Sequence, residues 1–502
     1  MMLGALFSSA AGQWPDALAV QDLATGNHLT FSQFVAALAG FGDFLTGLSL
    51  PRGARIGILS DASIPYIVAD YGAMANGYVR VPLDPSLSPQ ELESQIADAD
   101  IAVLLYGTAG QAQALSLGSV PSQPLPTAWA GRGASFPATA PDTLASLNYT
   151  GGTTGQPKAV MHTHGSLAAV ISNIRLARPA SVGDVLLNVR PLWPIASISV
   201  LAHLCSGGTV VLGGRFNPAA FLSQLETTAA AFSSLVPTQL GRLVRHEVET
   251  PCAPKRLLNL RSLDVGAAAL SQDILDGATA LLGPRLSILY GMTEAPWSFY
   301  LPADVLASLR LAGHSSGAVG FALNTVQARL TDQDPMSRKG EIEISGPHLM
   351  AGYWKRPDLT AAILRDGWLA TGDLGERDRD GLLHVVGRRK EIIRTGGMSV
   401  QPREVAEALM DHPAVQDVHV FALPDPEWGE RICAAVVLQA DSQAGRHVPA
   451  ATLIEHCRGI LSRHKVPKQI LFVPHLPRSH YGKVQQTKLL EMLGEDITKG
   501  PT

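Results

Sequence analysis

Short apolar runs alternate with helix-type patterns through the first half of this chain, and this alternation strongly constrains the fold. Residues 54–59 and 101–105 are apolar runs typical of strands, and residues 64–76 between them have the spacing of a helix. The strand pattern returns at residues 209–212 and 262–265. Strands that alternate with helices form parallel sheets with helices on both faces. The sequence therefore predicts an α/β fold.

The pattern changes in the last third of the chain. Residues 326–344 read as strands separated by turn residues, which predicts a smaller β subdomain. From Glu391 onward, strand and helix patterns resume on a shorter scale. This predicts a compact α+β C-terminal domain of about 110 residues, an ordinary domain size. Residues 121–141 are rich in Pro, Gly, Ser and Ala and predict a surface connection.

Composition excludes several classes of function. The 502 residues are 46% hydrophobic and 16% charged with a net charge of −4, which predicts a sizeable core and no nucleic-acid partner. The first twelve residues lack a basic segment, and no apolar stretch reaches ~20 residues, so we expect neither a signal peptide nor a membrane span. The four cysteines lack metal or redox spacing, which favours a reducing cytoplasm; they are Cys205, Cys252, Cys433 and Cys457.

The segment from Thr150 to Lys158 has the composition of a phosphate-binding loop. It contains three threonines, three glycines and one lysine. Glycines let main-chain N–H groups approach a ligand, and hydroxyls and a lysine add donors for phosphate oxygens. It is not the common P-loop, because Ala159 stands where that motif needs Ser or Thr. Taken alone, the segment is equally consistent with a solvated loop.

Other segments carry further polar groups in a fixed order. Tyr290 to Glu294 follow the apolar run 286–289, at a predicted strand end, where open α/β sheets bind ligands. A carboxylate beside phosphates suits Mg²⁺, and a second one, Asp373, could accept ribose hydroxyls. Residues 387–397 join a basic cluster to a Gly-Gly pair, and Lys483 follows a glycine near the end. Individually these can be turns, solvated basic faces or an exposed lysine.

Together, in this order and spacing, the segments resemble the adenylate-forming (AMP-binding) superfamily, in its acyl-CoA synthetase or acid–CoA ligase branch. The resemblance runs from about residue 17 to residue 490 and includes residues 340–347 and 352–354. It implies a large N-terminal AMP-binding and acyl-binding domain, residues 1–389, of two doubly wound parallel-type sheets plus a small β-barrel subdomain. It also implies a mobile α+β C-terminal domain, residues 390–502, with its hinge at Lys390.

The resemblance implies a two-step ligase reaction. A carboxylic acid attacks the α-phosphate of ATP, pyrophosphate leaves, and the thiol of CoA then displaces AMP from the acyl-adenylate. The ATP- and AMP-binding residues would be Thr150, Thr153, Thr154, Lys158, Gly266, Ala267, Tyr290, Gly291, Asp373 and Arg388. The catalytic residues would be Lys483, which bridges the carboxylate and the α-phosphate, Thr293 at the α-phosphate, Glu294 as the Mg²⁺ ligand, and Lys390 as the hinge. The thiol tunnel would include Gly396 and Gly397.

The acyl pocket departs from the family pattern. Pro194 replaces a histidine that follows an aromatic residue in many relatives, and Ser399 replaces an asparagine. No aspartate follows Trp193 to pair with an amino group, so a free α-amino acid is disfavoured. Trp193, Pro194 and Trp297 would line the pocket, and two indoles favour an aromatic or short-to-medium acid, although each tryptophan could instead be a core residue.

The acceptor and the partners follow from the same resemblance. The chain ends soon after Lys483, so we expect no fused carrier domain and take CoA as the simpler acceptor. A carrier-protein thiol, an amine or another nucleophile remains an alternative. A regulatory protein without turnover is disfavoured, because the charged catalytic residues are all present. We expect a cytoplasmic monomer or homodimer that uses ATP, Mg²⁺, CoA and a small carboxylic acid.

Overall fold

The structure is a computed structural model, and it describes most of the chain. The described residues are 3–129, 135–150, 158–251, 256–266, 270, 272–311, 317–332, 339–439, 448–478, 482 and 484–494. Four of the predicted site residues lie outside these ranges, namely Thr153, Thr154, Ala267 and Lys483.

Helices and strands alternate along the described residues. The α-helices are α1 (Leu3–Gln13), α2 (Phe31–Gly47), α3 (Ile64–Ala75), α4 (Pro89–Asp98), α5 (Gln111–Ser116), α6 (His164–Ala177), α7 (Ser197–Leu204), α8 (Pro218–Thr227), α9 (Pro237–Glu249), α10 (Gln272–Leu282), α11 (Ala303–Leu311), α12 (Pro357–Ile363), α13 (Pro402–Met410), α14 (Ala450–Ile460) and α15 (Gln486–Leu493). Short 3₁₀ turns cover Thr108–Gly110, Arg389–Glu391 and Arg463–Lys465.

The strands fall into three sheets. They are β1 (Leu18–Asp22), β2 (His28–Thr30), β3 (Arg55–Leu59), β4 (Val79–Leu83), β5 (Ile101–Tyr106), β6 (Ser122–Pro124), β7 (Leu144–Thr150), β8 (Lys158–Thr163), β9 (Val185–Asn188), β10 (Thr209–Leu212), β11 (Phe232–Leu235), β12 (Ser262–Val265), β13 (Leu286–Met292), β14 (Ala295–Leu301), β15 (Ala318–Ala322), β16 (Gln327–Thr331), β17 (Gly340–Ser345), β18 (Gly352–Tyr353), β19 (Leu364–Arg365), β20 (Trp368–Arg377), β21 (Leu383–Arg388), β22 (Ile393–Thr395), β23 (Met398–Val400), β24 (Val415–Asp425), β25 (Gly429–Leu438) and β26 (Gln469–Phe472).

Two sheets form the N-terminal part. The first has the order β18-β8-β7-β4-β3-β5-β6, parallel from β7 to β6 and antiparallel at the β8 edge. The second has a parallel run β13-β12-β11-β9-β10-β1 at its centre. Helices α2, α3, α6 and α7 contribute to the same buried apolar cluster as strands of both sheets. Burial on both faces explains why these parallel strands are nearly continuous apolar runs.

The predicted β subdomain continues the second sheet. Strands β14, β15, β21, β20, β17 and β16 follow β13 in that order, each antiparallel to its neighbour, and β19 pairs with β20. The C-terminal part has its own sheet, β23-β22-β25-β24 with β26 beside β25. Two apolar clusters there contain residues from 393 onward alone. The 3₁₀ turn Arg389–Glu391 links the large α/β part to a smaller part that has a core of its own.

Several helix starts are specified locally. Thr30 accepts from the main-chain N–H of Gln33, whose side chain accepts from the N–H of Thr30. Ser88 and Glu91 form the same reciprocal capping box at α4. These bonds satisfy N–H groups that have no partner within the helix.

The structure confirms the α/β fold with a large N-terminal part and a smaller C-terminal part. The runs predicted as strands at 54–59, 101–105, 209–212 and 262–265 are β3, β5, β10 and β12. Two predictions are corrected: β13 does not end at residue 289 but continues to Met292, and the predicted connection 121–141 includes a strand, β6, that pairs with β5. In the part of the chain that the structure describes, no helix is both long and apolar enough to cross a membrane.

Candidate active site

The Gly/Thr-rich loop connects two antiparallel strands. Thr150 ends β7, Lys158 begins β8, and these two residues are paired across the hairpin. The loop itself, residues 151–157, lies outside the described residues, together with Thr153 and Thr154. A hairpin connection differs from the strand-to-helix turn of a P-loop, as the residue after Lys158 predicted.

A tyrosine joins Lys158 to Glu294. The Nζ atom of Lys158 lies 5.5 Å from the centroid of the Tyr353 ring. The Tyr353 hydroxyl donates a 2.7 Å hydrogen bond to Glu294 Oε1. Burial and the neighbouring Glu294 carboxylate both raise the pKa of Tyr353, so its hydroxyl remains a proton donor. The register of β18 with β8, in which Tyr353 faces Val160, fixes this arrangement.

Thr293 and Glu294 form the turn between β13 and β14. His162 holds this turn from the first sheet, because its Nε2 lies 2.7 Å from the main-chain oxygen of Thr293. A carbonyl only accepts, so Nε2 carries the proton, and Nδ1, 3.0 Å from Ser166 Oγ, accepts from that hydroxyl. Burial lowers the pKa of His162 to about 4, which keeps the ring neutral. The histidine thus positions Thr293 without adding charge.

Three residues predicted to contact the nucleoside are brought together. Asp373 and Arg388 are directly paired across β20 and β21, and Arg388 Nε lies 2.9 Å from Asp373 Oδ1. The Tyr290 hydroxyl donates to Asp373 Oδ2 at 2.7 Å. Burial and the Asp373 carboxylate raise the pKa of Tyr290, so this hydroxyl also stays protonated. The carboxylate of Asp373 therefore has a fixed orientation beside the antiparallel strands of the second sheet.

Two predicted glycines sit where a side chain would collide with main chain. A Cβ at Gly266 would lie 2.7 Å from the carbonyl oxygen of Leu289, and one at Gly291 would lie 2.7 Å from the nitrogen of Trp297. Gly266 directly follows β12, and Ala267 lies outside the described residues. Close main-chain approach at both positions requires glycine.

The junction between the two parts carries Lys390 and the Gly-Gly pair. Lys390 is exposed in the 3₁₀ turn Arg389–Glu391. Gly396 and Gly397 have φ of +57° and +78° and connect β22 to β23. A Cβ at Gly396 would lie 2.8 Å from the ring of Trp428, and its N–H donates to the Trp428 carbonyl. The Gly396-Gly397 turn therefore packs against the partly exposed indole of Trp428.

Gly482, the residue before Lys483, lies against the N-terminal part. Lys483 itself is outside the described residues, but Gly482 is described, with φ of +79°. A Cβ at Gly482 would lie 2.8 Å from Cγ2 of Thr238, near the start of α9. Elsewhere, Arg403 Nη1 of α13 donates to the carbonyl oxygen of Val385 in β21 at 2.9 Å. The smaller part therefore contacts the N-terminal part, and Gly482, next to Lys483, is one of the contacting residues.

The predicted acyl-pocket residues are largely buried. Trp193 and Trp297 are each 6% exposed. The Pro194 carbonyl accepts a 3.0 Å hydrogen bond from Arg80, which also forms a buried 2.5 Å ion pair with Asp70. Trp297 belongs to the large apolar cluster and stacks on Tyr300, with ring centroids 5.7 Å apart. The hydrogen bond from the buried Arg80 therefore holds the main chain at Pro194 in place.

Sequence reasoning missed three of these contacts. The sequence places Tyr353 only within the family-like residues 352–354, and it gives no indication of a role for His162 or Arg80. Tyr353 is 59 positions from Glu294, and His162 is 131 positions from Thr293. Contacts between residues so far apart in the sequence leave no local periodic pattern. A tyrosine in the Gly352-Tyr353 pair was the one visible signal.

The donor set at Glu294 fits a magnesium ion. Mg²⁺ at nucleotide sites usually binds one or two carboxylates together with phosphate oxygens and water. Glu294 is 7% exposed and linked through Tyr353 to the lysine that begins β8. A buried carboxylate beside the predicted phosphate loop has the required chemistry.

Comparisons with known proteins agree along the chain. The family model "AMP-binding enzyme" matches residues 7–354, and "AMP-binding enzyme C-terminal domain" matches residues 404–483. The sulfoacetate–CoA ligase of Cupriavidus necator is 33% identical over 97% of both chains, and a feruloyl-CoA synthase of Amycolatopsis sp is 31% identical over 93% of this chain and 95% of that protein. The amide bond synthetase McbA of Marinactinospora thermotolerans superposes with a TM-score of 0.85 at 27% identity, covering 98% of this chain and 100% of that one.

Proposed function

Because the chain belongs to the AMP-binding enzyme family, we propose that it activates a carboxylic acid with ATP and transfers the acyl group to CoA. ATP and CoA are substrates of this family, and its relatives include acid–CoA ligases. The observation that carries the proposal is that two clusters, Lys158–Tyr353–Glu294 and Tyr290–Asp373–Arg388, converge on the β13–β14 hairpin, with Tyr290 before its turn and Glu294 within it.

The nucleoside would lie at the end of β12 and β13. Gly266 supplies a flat main-chain surface for the adenine, and Asp373 accepts the two ribose hydroxyls. Tyr290 and Arg388 hold the Asp373 carboxylate in one orientation before the nucleotide binds. Binding then costs little side-chain ordering, which favours affinity for AMP and ATP.

The phosphates would lie between the hairpin connection and the β13–β14 turn. Lys158 and Thr150 bind the β- and γ-phosphates together with Thr153 and Thr154, and Thr293 contacts the α-phosphate. Glu294 would hold Mg²⁺, which would supply positive charge to the phosphates as the acid carboxylate approaches. His162 keeps the Thr293 turn in place, and Tyr353 orients Glu294.

Two displacements then occur at one site. A carboxylate oxygen attacks the α-phosphorus, and the bond to the β-phosphate breaks, releasing pyrophosphate. Lys483 would bridge the two anions, and the Gly482 contact with Thr238 is consistent with a docking that brings this lysine towards the site. Rotation at Lys390 would withdraw it and bring Gly396 and Gly397 forward. The CoA sulfur then attacks the acyl carbon, the thiol proton is lost, and AMP leaves.

The acid is proposed to be aromatic or of short-to-medium length. Trp193, Pro194 and Trp297 occupy the segments that line the acyl pocket in the family, and two indoles leave little length for a long aliphatic chain. Two relatives are named for sulfoacetate and ferulate, which fall within this range, whereas others are named long-chain-fatty-acid–CoA ligases, so the proposal rests on the two indoles.

A second acceptor is the alternative. An amide bond synthetase is among the structural neighbours, and Pro194 replaces the family's histidine at the entrance to the acyl site. An amine or a carrier-protein thiol would then take the place of CoA, with the adenylation step unchanged.

Acid-dependent exchange of labelled pyrophosphate into ATP tests the proposal. Exchange should require an acid and Mg²⁺, and adding CoA should give acyl-CoA and AMP in equal amounts. Exchange without CoA-dependent AMP release would favour the alternative acceptor. Failure of every aromatic, short-chain and long-chain acid to support exchange would overturn the adenylation step itself.

A further inference from the structure

One face of the second sheet is polar where the faces of a parallel sheet are normally apolar. Ser234 of β11 is paired with Asp264 of β12, and Asp264 is paired with Ser287 of β13. Directly paired residues lie on the same face of a sheet. A row of three polar side chains therefore crosses three adjacent parallel strands, and Ser234 and Asp264 lie one residue before the carboxyl ends of β11 and β12.

Asp264, the central residue of this row, forms an ion pair with an arginine. Arg178 Nη1 lies 2.8 Å from Asp264 Oδ2, and both side chains are buried. The Tyr300 hydroxyl donates to Asp264 Oδ1 at 2.9 Å. The Arg178 guanidinium also lies 5.7 Å from the ring centroid of Trp297. Trp297, predicted to line the acyl pocket, thus packs directly on this polar layer.

A second arginine meets the row at its edge. Arg190 follows β9 by two residues, is half-buried, and its Nη1 donates to Ser234 Oγ at 3.2 Å. Asn188 Nδ2 donates to the main-chain oxygen of Arg190 at 2.9 Å, which holds the residue after the strand. The carboxyl ends of parallel strands are where α/β sheets bind ligands. Arg190 therefore brings a cation to the ligand-binding edge.

The distance between Arg190 and the nucleotide site limits the length of the carboxylic acid. Gly266 follows β12, and β12, β11 and β9 are consecutive neighbours in the sheet. Strands in a sheet lie roughly 4.8 Å apart, so about 10 Å separates β12 from β9. Thr293, proposed to contact the α-phosphate, follows β13, the next strand after β12, so about 14 Å separates that strand from β9. An acid of a few carbon atoms and an extended Arg190 side chain together span this distance.

We propose that the acid carries a second anionic group at its far end, a carboxylate or a sulfonate, and that Arg190 binds this group with the help of the Ser234 hydroxyl. The inference rests on the proposed function and specifies its substrate class. A planar guanidinium matches the two oxygens of such an anion in a bidentate contact. An apolar chain end would instead cover the partly exposed Arg190 and Ser234 without replacing their hydration, which disfavours fatty acids.

Acid pairs with equal numbers of carbon atoms test the proposal on the unmodified chain. Pyrophosphate exchange would be measured with succinate against butanoate, 3-sulfopropanoate against propanoate, and octanoate as the apolar reference. We expect kcat/KM to favour the doubly anionic acid by about 10- to 150-fold, the effect of a lost charge-assisted contact. A preference for butanoate, propanoate or octanoate overturns the proposal and leaves the adenylation activity standing.

Substitution identifies the responsible residue. Arg190→Gln should lower the ratio of doubly to singly anionic kcat/KM by about 10- to 150-fold, and Arg190→Lys should restore part of it. Arg365→Gln, a surface arginine on β19, is the matched control and should leave the ratio unchanged. An unchanged ratio in Arg190→Gln would overturn the assignment, as would an equal loss in the control. No exchange with any acid would overturn the proposed function and this inference together.

Discussion

Replacing Tyr353 with phenylalanine would remove one hydroxyl from the candidate site and leave the ring that Lys158 contacts. The hydroxyl donates at 2.7 Å to a carboxylate oxygen of Glu294, which is 7% exposed. Hydrogen bonds to charged groups contribute about 1.5–3 kcal/mol, and about 1.36 kcal/mol corresponds to a tenfold change in rate. We therefore expect Tyr353→Phe to lower kcat/KM for MgATP by about 10- to 150-fold in pyrophosphate exchange.

A matched variant separates this effect from a general loss of stability. Tyr149 also donates to a carboxylate, Asp98 Oδ2 at 2.8 Å, but on the side of β7 that faces α4. Tyr149→Phe should lower the unfolding temperature to a similar extent and leave kcat/KM for MgATP unchanged. If Tyr353→Phe retains kcat/KM within threefold of the unmodified chain, the reasoning that Tyr353 orients a metal-binding carboxylate is wrong.

Three further perturbations probe the nucleotide site, the buried histidine and the docked turn. Gly266→Ala places a Cβ 2.7 Å from a main-chain oxygen of β13, so the KM for ATP should rise at least tenfold in pyrophosphate exchange, and an unchanged KM would contradict the close approach. The pKa of His162 is lowered from 6.5 to about 4, so the unfolded chain binds this proton at a higher pH than the folded chain does. The free energy of unfolding is therefore at its full value above pH 6.5 and decreases as the pH falls towards 4. That loss is about 2 kcal/mol between pH 7 and pH 5, and His162→Gln should reduce the fall in unfolding temperature over this range, whereas an identical fall would refute the shift. Gly482 has φ of +79°, and a Cβ there would lie 2.8 Å from Thr238, so Gly482→Ala should lower the rate of adenylation more than tenfold and leave thioester formation from supplied acyl-adenylate unchanged. Gly381 has a similar φ of +81° but open space around its Cβ, so the control Gly381→Ala should change neither half-reaction.

The strands could be predicted where burial alone determines them. Residues 55–59 and 209–212 lie inside parallel sheets, and their continuous apolar runs are bounded by polar or glycine residues. The end of β13 could not be predicted, because Tyr290 to Met292 are strand residues only through their antiparallel partner β14. That partner supplies tertiary hydrogen bonds that have no counterpart in local propensity.

The site could be predicted as a set of residue types but not as a set of contacts. Asp373, Arg388 and Tyr290 were each predicted to contact the nucleoside, whereas their mutual hydrogen bonds depend on a register between β20 and β21. Arg80 and Asp70 illustrate the opposite case. Charged residues usually lie on solvated faces, and only the fold reveals that these two are fully buried as a pair.

The pairing of Asp373 with Arg388 has a mechanical consequence. Arg388 is the last residue of β21, and the turn Arg389–Glu391 that leads to the C-terminal part begins at the next position. Under the proposed function, a ribose held by Asp373 would restrain the strand from which that part departs. The restraint would act on β21 and not on the rotation itself, which occurs while the AMP moiety is bound, and departure of AMP would remove it. The enzyme would return to its starting arrangement when its product leaves, so that turnover and resetting share a single timing step.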